Sequence, residues 1–120
     1  MHMDMRFAGP VAIFSAPEAA IGLIHVGALQ WLVESVGPSR TMEFLLSSAQ
    51  VNGTEAERVG WVNSVYTTAE GLADHVDTLV TRIAKFEADA IRATKKSIAQ
   101  QKPTQEMFEE DQATFVALAS

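Results

Sequence analysis

The strongest constraint on this chain lies in residues 67–83. Leu72, Val76, Leu79, Val80 and Ile83 fall at i, i+4, i+7, i+8 and i+11, which a 3.6-residue period gathers into one apolar stripe along a helix. Thr67-Thr68-Ala69-Glu70 stands ahead of it with capping-box spacing, a hydroxyl for the third amide and a carboxylate to reach back. A helix with one apolar face gains most of its stability by laying that face on something else. In a chain of 120 residues there is room for one core and not two, since domains run to ~100–150 residues and this size buries roughly 65–70% of the unfolded surface.

The other segments fill in a mostly helical chain with a few short strands. The first third is punctuated by Gly9-Pro10, Pro17, Gly22 and Gly27. The apolar runs between them, Val11 to Phe14 and Ala19 to Ile24, are too short for helices and suit buried strands or turns. From Ala28 to Val36, Leu29, Leu32, Val33 and Val36 recur at helical spacing; Gly37 stops that helix and Pro38 opens the next, which runs to about Leu46 and buries Met42, Leu45 and Leu46. Thr54-Glu55-Ala56-Glu57 heads a short capped helix that Gly60 ends. Trp61 to Tyr66 is rich in β-formers and reads as a strand. Beyond the striped helix, a further helix spans about Ala88 to Gln100 with Ile91 and Ile98 inward, and Pro103 breaks the chain before a last helix carrying Phe108, Phe115 and Leu118.

Composition narrows the partners. A hydrophobic fraction of 48% and a charged fraction of 20% are those of an ordinary globular protein. The net charge of −6 disfavours nucleic acid or an anionic membrane as partner. The chain has no cysteine, which excludes disulfide scaffolds, thiolate zinc sites and cysteine nucleophiles and suits the cytoplasm. The most apolar stretch, Ile21 to Val33, is too short for a membrane span and carries His25 and Gln30. Met1-His2-Met3-Asp4 lacks a signal-peptide pattern; residues 1–3 read as a tag or disordered start.

Candidate chemistry is sparse. His2, His25 and His75 show no metal-ligand spacing, so no metal site is expected. Asp74, His75 and Asp77 avoid the apolar stripe and read as a solvated face. No glycine-rich phosphate loop and no nucleophile elbow is present. From Arg82 to Lys102 there are six basic and two acidic residues, and from Pro103 onward four acidic and no basic ones. Two readings stay open: complementary faces of successive helices, or a basic strip that meets the phosphates of a ligand. Glu18 follows Pro17 and precedes an apolar run, so it is either an exposed turn residue or a carboxylate at the edge of buried structure. In the second case burial would raise its pKa, as a general acid or base requires.

A chain of motifs in order decides the wider reading. Phe14-Ser15-Ala16-Pro17-Glu18-Ala19-Ala20-Ile21-Gly22-Leu23-Ile24 is followed by Val36-Gly37, by Met42-Glu43-Phe44-Leu45-Leu46, by Asn52-Gly53-Thr54-Glu55-Ala56-Glu57-Arg58-Val59-Gly60-Trp61-Val62-Asn63, and by Ala90-Ile91-Arg92-Ala93-Thr94-Lys95. Together these resemble the crotonase family, the enoyl-CoA hydratases and isomerases, over nearly the whole chain from about Asp4. The resemblance implies an α/β crotonase-like fold of which this chain forms the C-terminal half. Residues 4–66 would be the end of the βα core and 67–120 a helical oligomerisation region. Complete members are about twice this length, and their first half supplies the oxyanion-hole amides and the first catalytic glutamate.

By that resemblance Glu18 matches the second family glutamate, which exchanges a proton with the α-carbon of a coenzyme A thioester through an enolate intermediate. Lys95 matches a lysine common on the penultimate helix, where a phosphate contact to coenzyme A and a structural role are both open. The stretch His25-Val26-Gly27-Ala28-Leu29-Gln30-Trp31 departs from the family's proline- and glycine-rich loop: His25 takes the proline position, as an extra acid/base group or a plain loop residue. No bound cofactor is implied; an acyl-CoA is the substrate. The expectation is an acyl-CoA hydratase/isomerase-type enzyme whose isolated C-terminal part is inactive. The alternative is a non-catalytic helical assembly module derived from the same fold. In either case a homo-oligomer is expected, a trimer before a dimer.

Overall fold

A computed structural model describes residues 3–99 and 103–120. Met1 and His2 of the expected tag, and Gln100 at the expected end of a helix, lie outside the described residues. Two short ladders tie the first part of the chain together. One is parallel, between β1 (Phe7–Ala8) and β4 (Ser64–Val65), with Phe7 opposite Ser64. The other is antiparallel, between β2 (Ile13–Phe14) and β3 (Val51–Asn52), with Ile13 opposite Asn52. Between them lie α1 (Leu29–Val36), α2 (Pro38–Ser47) and α3 (Gly53–Val59).

Gly37 separates α1 from α2 at φ +87°, a backbone region costly for other residues, and Pro38 begins α2 at its first turn. The core gathers on α1, α2 and α3. Leu32 at its centre is 1% exposed, and burying a leucine contributes about 1.5–3 kcal/mol. The Trp61 ring packs between Phe14 at 5.4 Å and Phe44 at 5.6 Å. Thr41 is the buried polar residue, satisfied by donating its hydroxyl to the Gly37 carbonyl at 2.8 Å.

Several local expectations shift. The Trp61–Tyr66 strand shortens to Ser64–Val65, because the amides of Trp61 and Val62 turn back to the Ala56 carbonyl to close α3. The cap of α3 is Asn52, whose Oδ1 accepts from the Glu55 amide at 2.9 Å; Thr54 already lies inside the first turn. Glu57 does not reach back but accepts from the Val65 amide at 2.6 Å, fastening β4 to α3. In α2 it is Phe44 and Leu45 that are buried, while Met42 and Leu46 are 58% and 70% exposed. The runs expected as buried strands or turns become a two-residue strand and a 3₁₀ turn at Glu18–Ile21, with Val11 89% and Ile21 70% exposed. No described residue covers these two side chains.

The second part consists of α4 (Ala69–Ile83), α5 (Ala88–Ala99) and α6 (Gln105–Ala119). Thr68, one residue later than the capping box suggested, caps α4 through the Gly71 amide at 3.0 Å. The stripe of α4 exists but is only half covered, and Ile98 of α5 is exposed. Asp74, His75 and Asp77 are exposed, as the solvated-face reading expects, and the His75 ring also stands 5.0 Å from Phe7 and 5.2 Å from Tyr66. Among the described residues no ion pair joins α5 to α6; Arg92 pairs with Asp89 and Lys95 with Asp4. The radius of gyration is 16.5 Å, against about 13–14 Å for a compact domain of this length. No described helix is long and apolar enough to cross a membrane.

Candidate active site

Glu18 and His25 are brought together by a turn that neither residue's sequence environment announces. The 3₁₀ turn begins at Glu18, and Gly22 at φ +81° reverses the chain while the Leu23 amide bonds back to the Glu18 carbonyl at 2.9 Å. That reversal sets His25 beside the carboxylate, Nδ1 to Oε1 at 2.9 Å, with both side chains about a quarter exposed. The other oxygen, Oε2, is buried and has no hydrogen-bond partner.

The charge state follows from competing causes. Partial burial works to raise the Glu18 carboxyl, but the hydrogen bond to His25, a second from Glu18's own backbone amide and the charge on His25 outweigh it, and hold the group below the ordinary carboxylate value. This reverses the upward shift expected from burial alone. Glu18 therefore rests ionised at neutral pH.

His25 also lines an apolar groove of about 410 Å³, walled by Ala16 and Ala19, by Leu29 and Val33 of α1, and by Met42 and Leu46 of α2. The two α2 side chains expected in the core are thus the groove's outer wall. The loop after His25 is held from the far side by α6. A Cβ on Gly27 would stand 3.6 Å from the Phe108 ring, and the Gln30 amide donates to Asp111 at 3.3 Å. No sequence signal joined α6 to this loop, because the contact spans some eighty residues.

Lys95 is not part of this constellation. It projects from α5 and pairs with Asp4 at 3.0 Å, both side chains more than half exposed, beside a separate concavity lined by Asp4, Arg6, Glu34 and Ile98. An exposed pair of this kind leaves the ammonium exchangeable at little cost.

The profile of the enoyl-CoA hydratase/isomerase family matches residues 1–120. The chain belongs to that family. It is 32% identical over 99 residues to the short-chain-enoyl-CoA hydratase of Clostridioides difficile, covering 82% of this chain and 63% of that protein. To the peroxisomal Delta(3,5)-Delta(2,4)-dienoyl-CoA isomerase of Arabidopsis thaliana it is 30% identical over 93 residues, 77% of this chain and 34% of the isomerase. Among solved structures, a Streptomyces avermitilis protein assigned to the enoyl-CoA hydratases superposes with a TM-score of 0.91 at 33% identity, over 97% of this chain and 42% of that one. The enoyl-CoA hydratase of Bacillus halodurans gives 0.87 at 25% identity, over 96% and 47%. The fold is the crotonase fold, helix-rich with few short strands. The chain spans less than two thirds of the length of each of these proteins.

Proposed function

We propose that this chain is the C-terminal part of an enoyl-CoA hydratase/isomerase-type enzyme that acts on acyl-CoA thioesters through an enolate. The observation that carries the reading is the Glu18 carboxylate, held by His25 at 2.9 Å beside an apolar groove, with one buried oxygen left unpartnered. In hydration, the oxygen of water bonds to the β-carbon of the enoyl group and the π electrons pass into the thioester as an enolate. Glu18, ionised at rest, first takes up a proton from solvent and gives it to the α-carbon, while a second base receives the proton that water sheds and returns it to solvent. Run backward, or as an isomerisation, ionised Glu18 removes the α-proton. His25 shares in holding that proton site. Lys95, released from Asp4, is a phosphate contact for coenzyme A. The reading places the enzyme in the cytoplasm, which suits a chain without cysteine.

Crotonyl-CoA hydration by the complete enzyme tests it. Glu18→Gln is expected to lower the rate by at least ~10², the usual contribution of a general acid/base, and unchanged turnover removes Glu18 from the chemistry. The 120 residues alone are expected not to turn over, because oxyanion donors, each worth ~10²–10³ in rate, belong by resemblance to the preceding half. Steady hydration by the purified chain, abolished by Glu18→Gln, would refute that.

The same reading makes residues 67–120 an assembly region and the enzyme a homo-oligomer, a trimer before a dimer. Exposed Val80, Ile98, Val116 and Leu118 in these helices, with Val11 and Ile21 before them, support it, because exposed apolar patches usually mark interfaces. Light scattering of the chain is expected to read a multiple of 13.0 kDa; a clean monomer at tens of micromolar would contradict it.

A further inference from the structure

We propose that His25 is a positioning residue for Glu18: its Nδ1–H holds Oε1 and so fixes the orientation of the carboxylate beside the groove. This rests on the enoyl-CoA reading for the identity of the substrate, though not for the existence of the pair.

The geometry supplies each link. An ionised carboxylate can only accept, so at 2.9 Å the hydrogen must sit on His25 Nδ1. That assigns the tautomer, leaving Nε2 bare in the neutral ring. The other oxygen, Oε2, is buried without a hydrogen-bond partner, so the side-chain contact that orients the carboxylate is the one His25 makes at Oε1. A freely rotating carboxylate would present either of its two oxygens to a substrate; engagement of Oε1 removes that freedom before substrate arrives.

The histidine is itself braced. Gly22 and Gly27, both at positive φ, bound the loop that carries it, and Phe108 of α6 backs Gly27. Asp111 of α6 accepts from Gln30, and His25 is the side chain whose hydrogen bond lowers the Glu18 carboxyl. The position His25 fills is one where the resemblance leads one to expect proline, a residue with no donor to offer. The pairing is therefore a property of this chain's own sequence.

Three readouts test the assignment. Nitrogen-15 NMR of the 120-residue chain at mildly alkaline pH is expected to show His25 as the Nδ1–H tautomer, and Glu18→Gln to abolish that preference; an Nε2–H ring in the unaltered chain overturns the proposal. Carbon-13 titration of the Glu18 carboxyl is expected to stay below the ordinary 4.5 in the unaltered chain and in His25→Asn, whose amide can donate from the same place. His25→Leu should move it upward, and one midpoint for all three overturns the pairing.

In the complete enzyme, His25→Leu is expected to lower kcat by ~10–10²-fold, the scale of a small misplacement, with less change in KM and an acid limb moved to higher pH. His25→Asn should restore most of the loss. An unchanged kcat in His25→Leu rejects the positioning role and leaves the enoyl-CoA reading standing. No turnover by the complete enzyme, with the tautomer as expected, rejects the enoyl-CoA reading and the catalytic half of this proposal together.

Discussion

Residues 3–65 and the helices α4 to α6 solve the same problem differently. Every buried residue among those described lies at or before Val62; α4, α5 and α6 contain none. Yet α4 has as strong a stripe as α1. The difference teaches that amphipathic pattern states what a helix requires, while burial depends on what the rest of the fold supplies. In the first part, the ladders β1–β4 and β2–β3 bring sequence-distant segments around Leu32 and Trp61. In the second, each helix touches the first part by a few side chains: His75 on Phe7 and Tyr66, Lys95 on Asp4, Asp111 on Gln30.

That contrast can be broken in order of expected effect. Leu32→Ala should cost about 2–5 kcal/mol by cavity formation, read as a lower urea midpoint. Val80→Ala in the α4 stripe, where Val80 is exposed, should stay within about 0.5 kcal/mol; equal losses at both sites would erase the distinction. Next, Gly53→Ala places a Cβ 2.6 Å from Val65 Cγ2, and overpacking the α3–β4 junction should cost about 1–3 kcal/mol. Removing the cap with Thr68→Ala should cost about 1 kcal/mol locally. By hydrogen exchange it should loosen α4 without touching α1 to α3; loss of protection in α1 would show that the two parts unfold as one.

The smallest effect is electrostatic. Because the Glu18 pKa is lowered in the folded chain, its stabilising contribution is present above the ordinary value of 4.5 and fades as pH falls through the lower folded value. The difference in urea midpoint between the unaltered chain and Glu18→Gln should therefore shrink on acidification in that range. A difference that grows there would reverse the sign of the shift.

Helix order was legible residue by residue. Gly37-Pro38 marked the α1–α2 break, Gly60 the end of α3, and the Leu72–Ile83 stripe the whole of α4. Caps were legible to within a residue or two: Asn52 displaced Thr54 because Gly53, buried under Val65, is already the first helical residue. Of the site, Glu18 and His25 were each visible alone, Glu18 through the motif it shares with the family and His25 as a departure from it. Their contact was not visible, since a separation of seven residues carries no fixed geometry until Gly22 reverses the chain.

What the sequence determined by itself is local: periods, caps and breaks, which arise from the backbone's own hydrogen bonding and from side chains a few residues apart. What the tertiary structure decided is which apolar faces are covered, and in which direction the Glu18 pKa moves. Met42 reads as core by its spacing, yet lines an open groove; Glu18 reads either as an exposed turn residue or as a carboxylate raised by burial, yet is about a quarter exposed and lowered by His25. Coverage and charge are sums over neighbours in space, and those neighbours, Phe108 behind Gly27 and His25 beside Glu18, are chosen only when the chain has closed on itself.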